Sequence, residues 1–277
     1  MSPTLDIVIP VKFPSSHLNH MRKILGELPQ DIRVKYILDC NSEVQIDCEK
    51  LNAKTHEKFI IGKFGSPGLA RNAGLDECQS DYIIFWDVDD EPNVKGTISL
   101  LNYVISNEGD VGVGNWVFRD SPDKLQGISP LSVGISPGIW RFLFRREFIR
   151  DLRFSPLKWG EDQLFILQTL AKSPKILACE SAVYAYTKYV QGALTTDSKN
   201  VIDLIEVNRR GLDQLSTIKD GARFCAEIMH FRQILTVLKH RKMRSACKLM
   251  FHSVLNLRAR KSHLWKLILQ GKWSNRW

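Results

Sequence analysis

Residues 81–92 read DYIIFWDVDDEP, an apolar run that stops abruptly at Asp87, Val88, Asp89, Asp90 and Glu91. The run over 81–86 predicts a buried strand. Four carboxylates within the next five residues repel one another unless something positive sits among them. That something is a metal ion, a Lys or Arg, or only water.

Working outward, the same alternation recurs. LDIVIPV (5–11), VKYILDC (34–40) and KFIIGK (58–63) predict three further strands, and an amphipathic helix is expected over 17–28 from Leu18, Met21, Ile24, Leu25 and Leu28 at helical spacing. Ser66 is placed to cap a helix that opens at Pro67, where a missing N–H costs nothing. Downstream lie a helix over 94–107, a strand over 110–118, a long Ser-Pro- and Gly-containing loop or flap over 119–138, a helix opening at WGED (159–162) and a strand in KILACESAVYAY (175–186). Strands alternating with helices of this length imply an α/β fold with a mainly parallel central sheet flanked by helices on both faces. In such sheets ligands bind at the carboxyl ends of the strands, where the acidic cluster falls.

From Val201 onward the pattern is helical, so a domain over 1–200 followed by a helical, basic extension over 201–277 is expected. Of 39 Lys and Arg, 11 lie in 239–277 without a single Asp or Glu, leaving 28 against 30 acidic residues elsewhere. The body is close to neutral and the tail carries the excess. Six scattered cysteines form no CxxC pair, which supports neither a zinc site nor a disulfide framework. No run approaches a spanning helix and no basic leader precedes the first apolar run, so a cytoplasmic protein is expected.

Taken in order, IVIPV, LDCNS, SPGLARNAGLDECQSDYIIFWDVDD, RFLFRREFI, WGEDQLF and AVYAYTKYVQGALT, between Leu5 and Thr196, resemble the family 2 glycosyltransferases, enzymes of GT-A fold that build bacterial surface polysaccharides. The resemblance implies an inverting transferase that moves a sugar from a nucleotide-diphosphate donor, expected to be UDP-linked, to a saccharide acceptor, expected to be carried on a polyprenyl lipid. It also implies Mn²⁺ or Mg²⁺, because charge developing on the leaving diphosphate calls for a divalent Lewis acid.

On that resemblance the acidic cluster is a DxD motif. Alternate residues of an extended chain share a face, so Asp87 and Asp89 present two carboxylates together. Asp89 is the expected metal ligand, Asp87 the second and a donor contact, and Asp90 a supporting one. Alone, such a cluster is more often a solvated acidic turn ahead of a helix. Arg71 is expected on the donor phosphates or on Asp87, since a guanidinium forks onto such groups. Asp39, with the Pro10 and Val11 backbone, is expected at the donor base, although Cys40 stands where the family has a second carboxylate.

Asp162 of WGED matches the family's catalytic base, the group that takes the proton of the attacking hydroxyl. Glu161 and Trp159 are expected on the acceptor side, Trp159 by stacking on a sugar ring. Lys188 takes any phosphate contact of the 188–200 loop, because Thr187 stands where Arg is frequent. The QxxRW signature of processive synthases is absent, which implies one sugar per encounter.

The tail alternates Lys and Arg with Leu249, Met250, Phe251, Val254, Leu264, Trp265 and Trp273, as expected of amphipathic helices resting on the cytoplasmic face of an anionic membrane. The same tail raises the alternative of a nucleic-acid-binding protein, for which the body offers no recognised signature, so no nucleic acid is expected. A non-catalytic sugar-nucleotide-binding protein of the same fold is the other alternative. A sugar nucleotidyltransferase or dinucleotide dehydrogenase would need a Gly-rich loop after the first strand, and PVKFPSS contains no glycine.

Overall fold

The computed structural model describes residues 4–26, 28–29, 31–40, 51–127, 132–187, 198–215, 217–218, 220–240 and 242–259. Its strands are β1 (Leu5–Phe13), β2 (Ile32–Cys40), β3 (Glu57–Gly62), β4 (Tyr82–Phe85), β5 (Glu91–Pro92), β6 (Val111–Phe118), β7 (Ser121–Gln126), β8 (Phe142–Arg145) and β9 (Ile176–Tyr186). Its helices are α1 (Leu18–Ile24), α2 (Pro67–Asp76), α3 (Val94–Ser106), α4 (Ser132–Ile135), α5 (Glu161–Ala171), α6 (Val201–Leu215), α7 (Asp220–Lys239) and α8 (Met243–Ala259).

All nine strands form one sheet in the order β3-β2-β1-β4-β8-β6-β9-β5, with β7 paired to β6 off that path. The first four are parallel to one another, and β6 runs parallel to β9. Between these blocks β8 lies antiparallel to both β4 and β6. The expected α/β layering is thus present, with the parallel character concentrated in two blocks.

The apolar runs are continuous rather than alternating because both faces of the sheet are covered. Along β4, Ile83 and Phe85 enter one core while Ile84 and Trp86 enter the other. Val8 of β1 joins the first core and its neighbours Ile7 and Ile9 the second. Residues of α2, α5, α6 and α7 complete the first core, and residues of α1 and α3 the second. Leu212, Leu215, Cys225, Ala226 and Met229 bring α6 and α7 into the same core as the strands.

Two local expectations change. The first helix ends at Ile24 rather than 28, and Gly26 follows with φ of +24°. Part of the expected 119–138 loop is β7, which pairs with β6, and α4 follows it. The stretch 139–145 is a 3₁₀ turn at Ile139–Arg141 leading into β8. Helix α8 takes the first part of the basic tail. The remainder of the tail, Leu264, Trp265 and Trp273 included, lies outside the described residues.

Candidate active site

The site lies beyond the carboxyl ends of β1 and β4. Strand β4 pairs with β1 only as far as Val8 opposite Phe85, and the chain then leaves the sheet through the acidic residues. Strand β1 continues to Phe13 beside β2 alone, so Pro10 and Val11 lie on an edge that β4 has vacated.

Arg71 reaches this edge from α2. The Ser66 hydroxyl accepts a hydrogen bond from the Leu69 amide and Pro67 stands in the first turn, which fixes where the helix starts. Gly68 allows α2 to approach the chain before α5, for a Cβ there would sit 2.3 Å from the Ser155 carbonyl oxygen. Asn72 then clamps Phe154, donating to its carbonyl (2.9 Å) and accepting from its amide (2.8 Å). Phe154 stacks on Phe165 of α5 at 4.1 Å between centroids and lies 5.6 Å below the Arg71 guanidinium.

The clamp delivers Arg71 to two carboxylates that are remote in sequence. Its Nη1 donates to Glu161 (2.6 Å) and its Nη2 to Asp87 (2.8 Å), with only 4% of the residue exposed. Burial opposes the charge, but Asp87, Glu161 and Asp162 together raise the Arg71 pKa. Its Nε has no partner among the described residues.

Gly160 sets up the acidic pair. It caps α5 with φ of +85°, a conformation a side chain would strain, and a Cβ there would come within 2.9 Å of Leu204. Glu161 and Asp162 then occupy the first turn, where a helix favours negative charge. Burial and the neighbouring Asp162 push the Glu161 pKa up to about 8, against the pull of Arg71. Burial likewise pushes Asp162 up to about 6, against Arg71 and the Gln163 amide, which donates to it at 2.8 Å. The two carboxyls titrate as a pair, in which Glu161 is committed to Arg71 and Asp162 remains partly exposed.

Across from them, Asp87, Asp89 and Asp90 have distinct surroundings. Asp87 holds Arg71 by its side chain, while its backbone amide donates to the Tyr184 hydroxyl at 3.0 Å. Asp90 is only 3% exposed and accepts from the Thr187 amide at 2.7 Å. Burial and the charge of Asp87 push its pKa up to about 8. Asp89 is partly exposed and has no ion-pair partner among the described residues; burial and Asp87 raise its pKa too. Carboxylates raised by burial and then by one another lack a neutralising charge beside them.

No group of three carboxylate, His or Cys side chains suited to a metal ion is assembled among the described residues. The expected set of Asp89, Asp87 and Asp90 therefore does not form a closed protein cage, since Asp87 is shared with Arg71 and Asp90 with the Thr187 amide. Asp89 with the second oxygen of Asp87 is the pair left to meet a cation. An ion bound so openly keeps positions for phosphate oxygens, as Mg²⁺ and Mn²⁺ sites for nucleotides do.

The other expected residues are more dispersed. Asp39 ends β2 with both carboxylate oxygens on backbone amides, Phe64 at 2.7 Å and Gly65 at 2.9 Å. Glu161, expected on the acceptor side, is 6% exposed and committed to Arg71. Trp159 lines a cavity beside α7 and meets His240 edge-on at 5.5 Å. Lys188 lies outside the described residues.

Tyr184, Tyr186 and Trp140 were not expected at the site. Both tyrosines stack on Trp140, at 4.6 and 5.7 Å, and the charges of Asp90 and Asp87 act on both phenols. Burial first, and then those charges, raises the Tyr186 pKa to about 12. Their spacing of two places them on one face of β9, which is the signal that could have found them.

The family model described as glycosyl transferase family 2 matches residues 58–159. A Haemophilus influenzae protein described as an uncharacterized glycosyltransferase is 30% identical over 183 residues, which are 61% of this chain and 72% of that protein. The poly(ribitol-phosphate) beta-N-acetylglucosaminyltransferase TarS of Staphylococcus aureus is 22% identical over 211 residues, and the match spans only 36% of its length. Among solved structures, TarS 1–349 in complex with UDP-GlcNAc superposes with a TM-score of 0.68 at 18% identity, covering 82% of this chain and 70% of that one. The mannosyltransferase PcManGT of Pyrobaculum calidifontis, in complex with GDP-Man and Mn²⁺, gives 0.60 at 11% identity, covering 92% of this chain and 76% of that one.

Proposed function

The chain belongs to glycosyl transferase family 2, and from that premise we propose that it is an inverting, metal-dependent transferase using a nucleotide-diphosphate sugar. The donor is UDP-linked, a reading supported by the likeness to TarS bound to UDP-GlcNAc. The acceptor is a saccharide hydroxyl, carried on a polyprenyl lipid in surface-polysaccharide synthesis.

The observation that carries this reading is the Asp162 carboxylate. It stands partly exposed on the first turn of α5, raised to about 6 by burial, within the field of Arg71 and Asp87. A base of that pKa is ionised at neutral pH yet has a real affinity for a proton. Asp162 takes the proton of the acceptor hydroxyl, whose oxygen attacks the anomeric carbon. The bond from that carbon to the diphosphate oxygen breaks, and its electron pair leaves on the diphosphate.

The remaining groups answer the donor's charge. Asp89 and Asp87 would hold Mn²⁺ or Mg²⁺, which when bound acts as a Lewis acid on the diphosphate. Arg71 keeps Asp87 oriented and, with Glu161 as its buried hydrogen-bond partner, brings positive charge to the donor side. Pro10 and Val11 offer backbone groups to the base from the vacated edge of β1, while Asp39 holds the turn at Phe64 and Gly65 beside them.

The enzyme works on the cytoplasmic face of the membrane. Helix α8 buries Ala246 and Leu249 against α6 and α7 while exposing Met243, Met250 and Phe251 beside Arg244 and Lys248. An apolar and basic outer face of this kind suits an anionic lipid surface. None of the described helices is long and apolar enough to cross a membrane.

The test of the base is Asp162→Asn. Transfer is expected to fall by roughly 10²- to 10⁴-fold, the usual worth of a positioned base, while nucleotide-sugar binding with Mn²⁺ persists. Wild-type turnover in that variant would refute the assignment.

A further inference from the structure

The turn that carries Asp162 is gripped on both sides by the helices that follow β9. Ahead of the base, Asp203 in the first turn of α6 accepts from the backbone amides of Lys158 (2.8 Å) and Trp159 (3.3 Å) through one carboxylate oxygen. The Trp159 side chain packs on Val201 and Leu204 of α6 and Ile234 and Val237 of α7. Leu204 and Val207 close directly on Gly160, where a Cβ would stand 2.9 and 3.0 Å from them.

Behind the base, Gln233 of α7 donates through Nε2 to the Gln163 Oε1 at 2.8 Å. Gln233 is only 2% exposed, and its own Oε1 accepts from Asn208 of α6, which also donates to the His230 carbonyl, both at 3.0 Å. The carbonyl is an acceptor only, so Asn208 must present its nitrogen, Gln233 its oxygen to Asn208, and Gln233 its nitrogen to Gln163. A buried relay with one satisfied order of donors resists displacement, because any slip leaves a buried polar atom unpaired.

Gly160, Glu161 and Asp162 lie between the two grips. Glu161 is held by Arg71, but the Asp162 side chain has only the adjacent Gln163 amide as a hydrogen-bond partner among the described residues. The direction of that carboxylate therefore follows the backbone of the turn. We propose that Asp203 and Gln233 are positioning residues for transfer, which fix this backbone from its two ends and so aim Asp162 at the acceptor hydroxyl. The inference rests on the transferase reading for the role of Asp162. For the clasp itself it rests on the bonds of Asp203 and Gln233 alone.

The test follows the Gln163 backbone amide proton of the full chain by NMR while pH is carried through the Asp162 value of about 6, since an amide bonded to a carboxylate moves downfield as that carboxylate ionises. A displacement is expected in the wild type and none in Asp162→Asn. It should be roughly halved or less in Asp203→Ala and in Gln233→Leu, because a hydrogen bond weakens steeply once misaligned. Asp203→Asn should keep it, for its amide oxygen still accepts from Lys158 and Trp159. The melting temperature of each variant reports folding, and if Gln233→Leu does not fold, Asp203→Ala decides alone. A folded Asp203→Ala or Gln233→Leu protein whose amide moves as in the wild type would overturn the inference. In parallel, release of UDP from UDP-GlcNAc and other UDP-sugars with Mn²⁺ should slow about tenfold or more in both variants at unchanged KM, since a misplaced base costs rate rather than binding. Absence of release from the wild type would count against the transferase reading and leave the NMR result to judge the clasp.

Discussion

Two buried charge clusters stand at opposite ends of the same strands, and they are built on opposite principles. At the amino end, Asp6 of β1 is fully buried; it binds Lys35 of β2 and accepts from the amides of Gln79 (2.8 Å) and Ser80 (2.9 Å). Burial alone would raise its pKa, but Lys35 and the two amides hold it below the ordinary carboxylate value. At the carboxyl end, Asp87, Glu161 and Asp162 gather around Arg71, the one cation paired with them among the described residues, and Asp89 and Asp90 act on Asp87; four of these five have raised pKa values. Charges at the first end are matched, whereas those at the second are in excess. A matched cluster serves the fold; an excess of carboxylate held at the mouth of a sheet is a cost to the fold that a cationic ligand can relieve.

The largest effect should come from breaking the matched end. Asp6→Asn leaves Lys35 buried without a counter-charge, and a loss of about 3–5 kcal/mol is expected for such a broken pair, read by denaturant unfolding. A loss under about 1 kcal/mol would mean that Lys35 finds water or another partner. The pH dependence has a definite sign. The contribution of Asp6 is present above the ordinary carboxylate pKa and is lost as pH falls through its lower folded value.

Catalysis should report the opposite shift at the other end. With saturating donor and Mn²⁺, transfer should rise with pH as the Glu161–Asp162 pair loses its first proton near pH 6, and then level off. A rate that is flat from pH 5 to 8 would remove Asp162 from the proton transfer.

A smaller effect with reversed sign sharpens the contrast. Between the ordinary carboxylate value and about 8, folded Asp90 holds a proton that the unfolded chain has released, so stability falls as pH rises. Asp90→Asn keeps an oxygen for the Thr187 amide and removes the repulsion. Near pH 8 it should raise the melting temperature by about 2–4 °C, the shift that about 1 kcal/mol gives in a chain of this size. At pH 5, where Asp90 is protonated in any case, the gain should vanish. Destabilisation at pH 8 would show that the Asp90 charge is itself used by the fold.

Strands β1, β2, β4 and β6 were legible because most of their residues are buried and leave long apolar runs, and β3 and β9 because their apolar residues stand together although they are only partly buried. Strand β7 was not, since SPDKLQ is polar and largely exposed and pairs on one side only. At the site, Arg71, Asp87 and Asp162 were legible from motif order, and the structure brings them together from three separate segments. The burial of Glu161 was not, because it depends on Gly68 and Asn72 closing α2 onto the chain before α5.

The central claim is that the surplus of carboxylate awaits a cation and a nucleotide-diphosphate sugar, and it is tested most directly by melting the protein with UDP- and GDP-sugars, each with and without Mn²⁺. One nucleotide sugar should raise the melting temperature strongly only when Mn²⁺ is present, by the equivalent of about 2.7 kcal/mol at a hundredfold excess over Kd, and Asp89→Ala should abolish the shift. Indifference to every nucleotide sugar in both conditions would contradict the account.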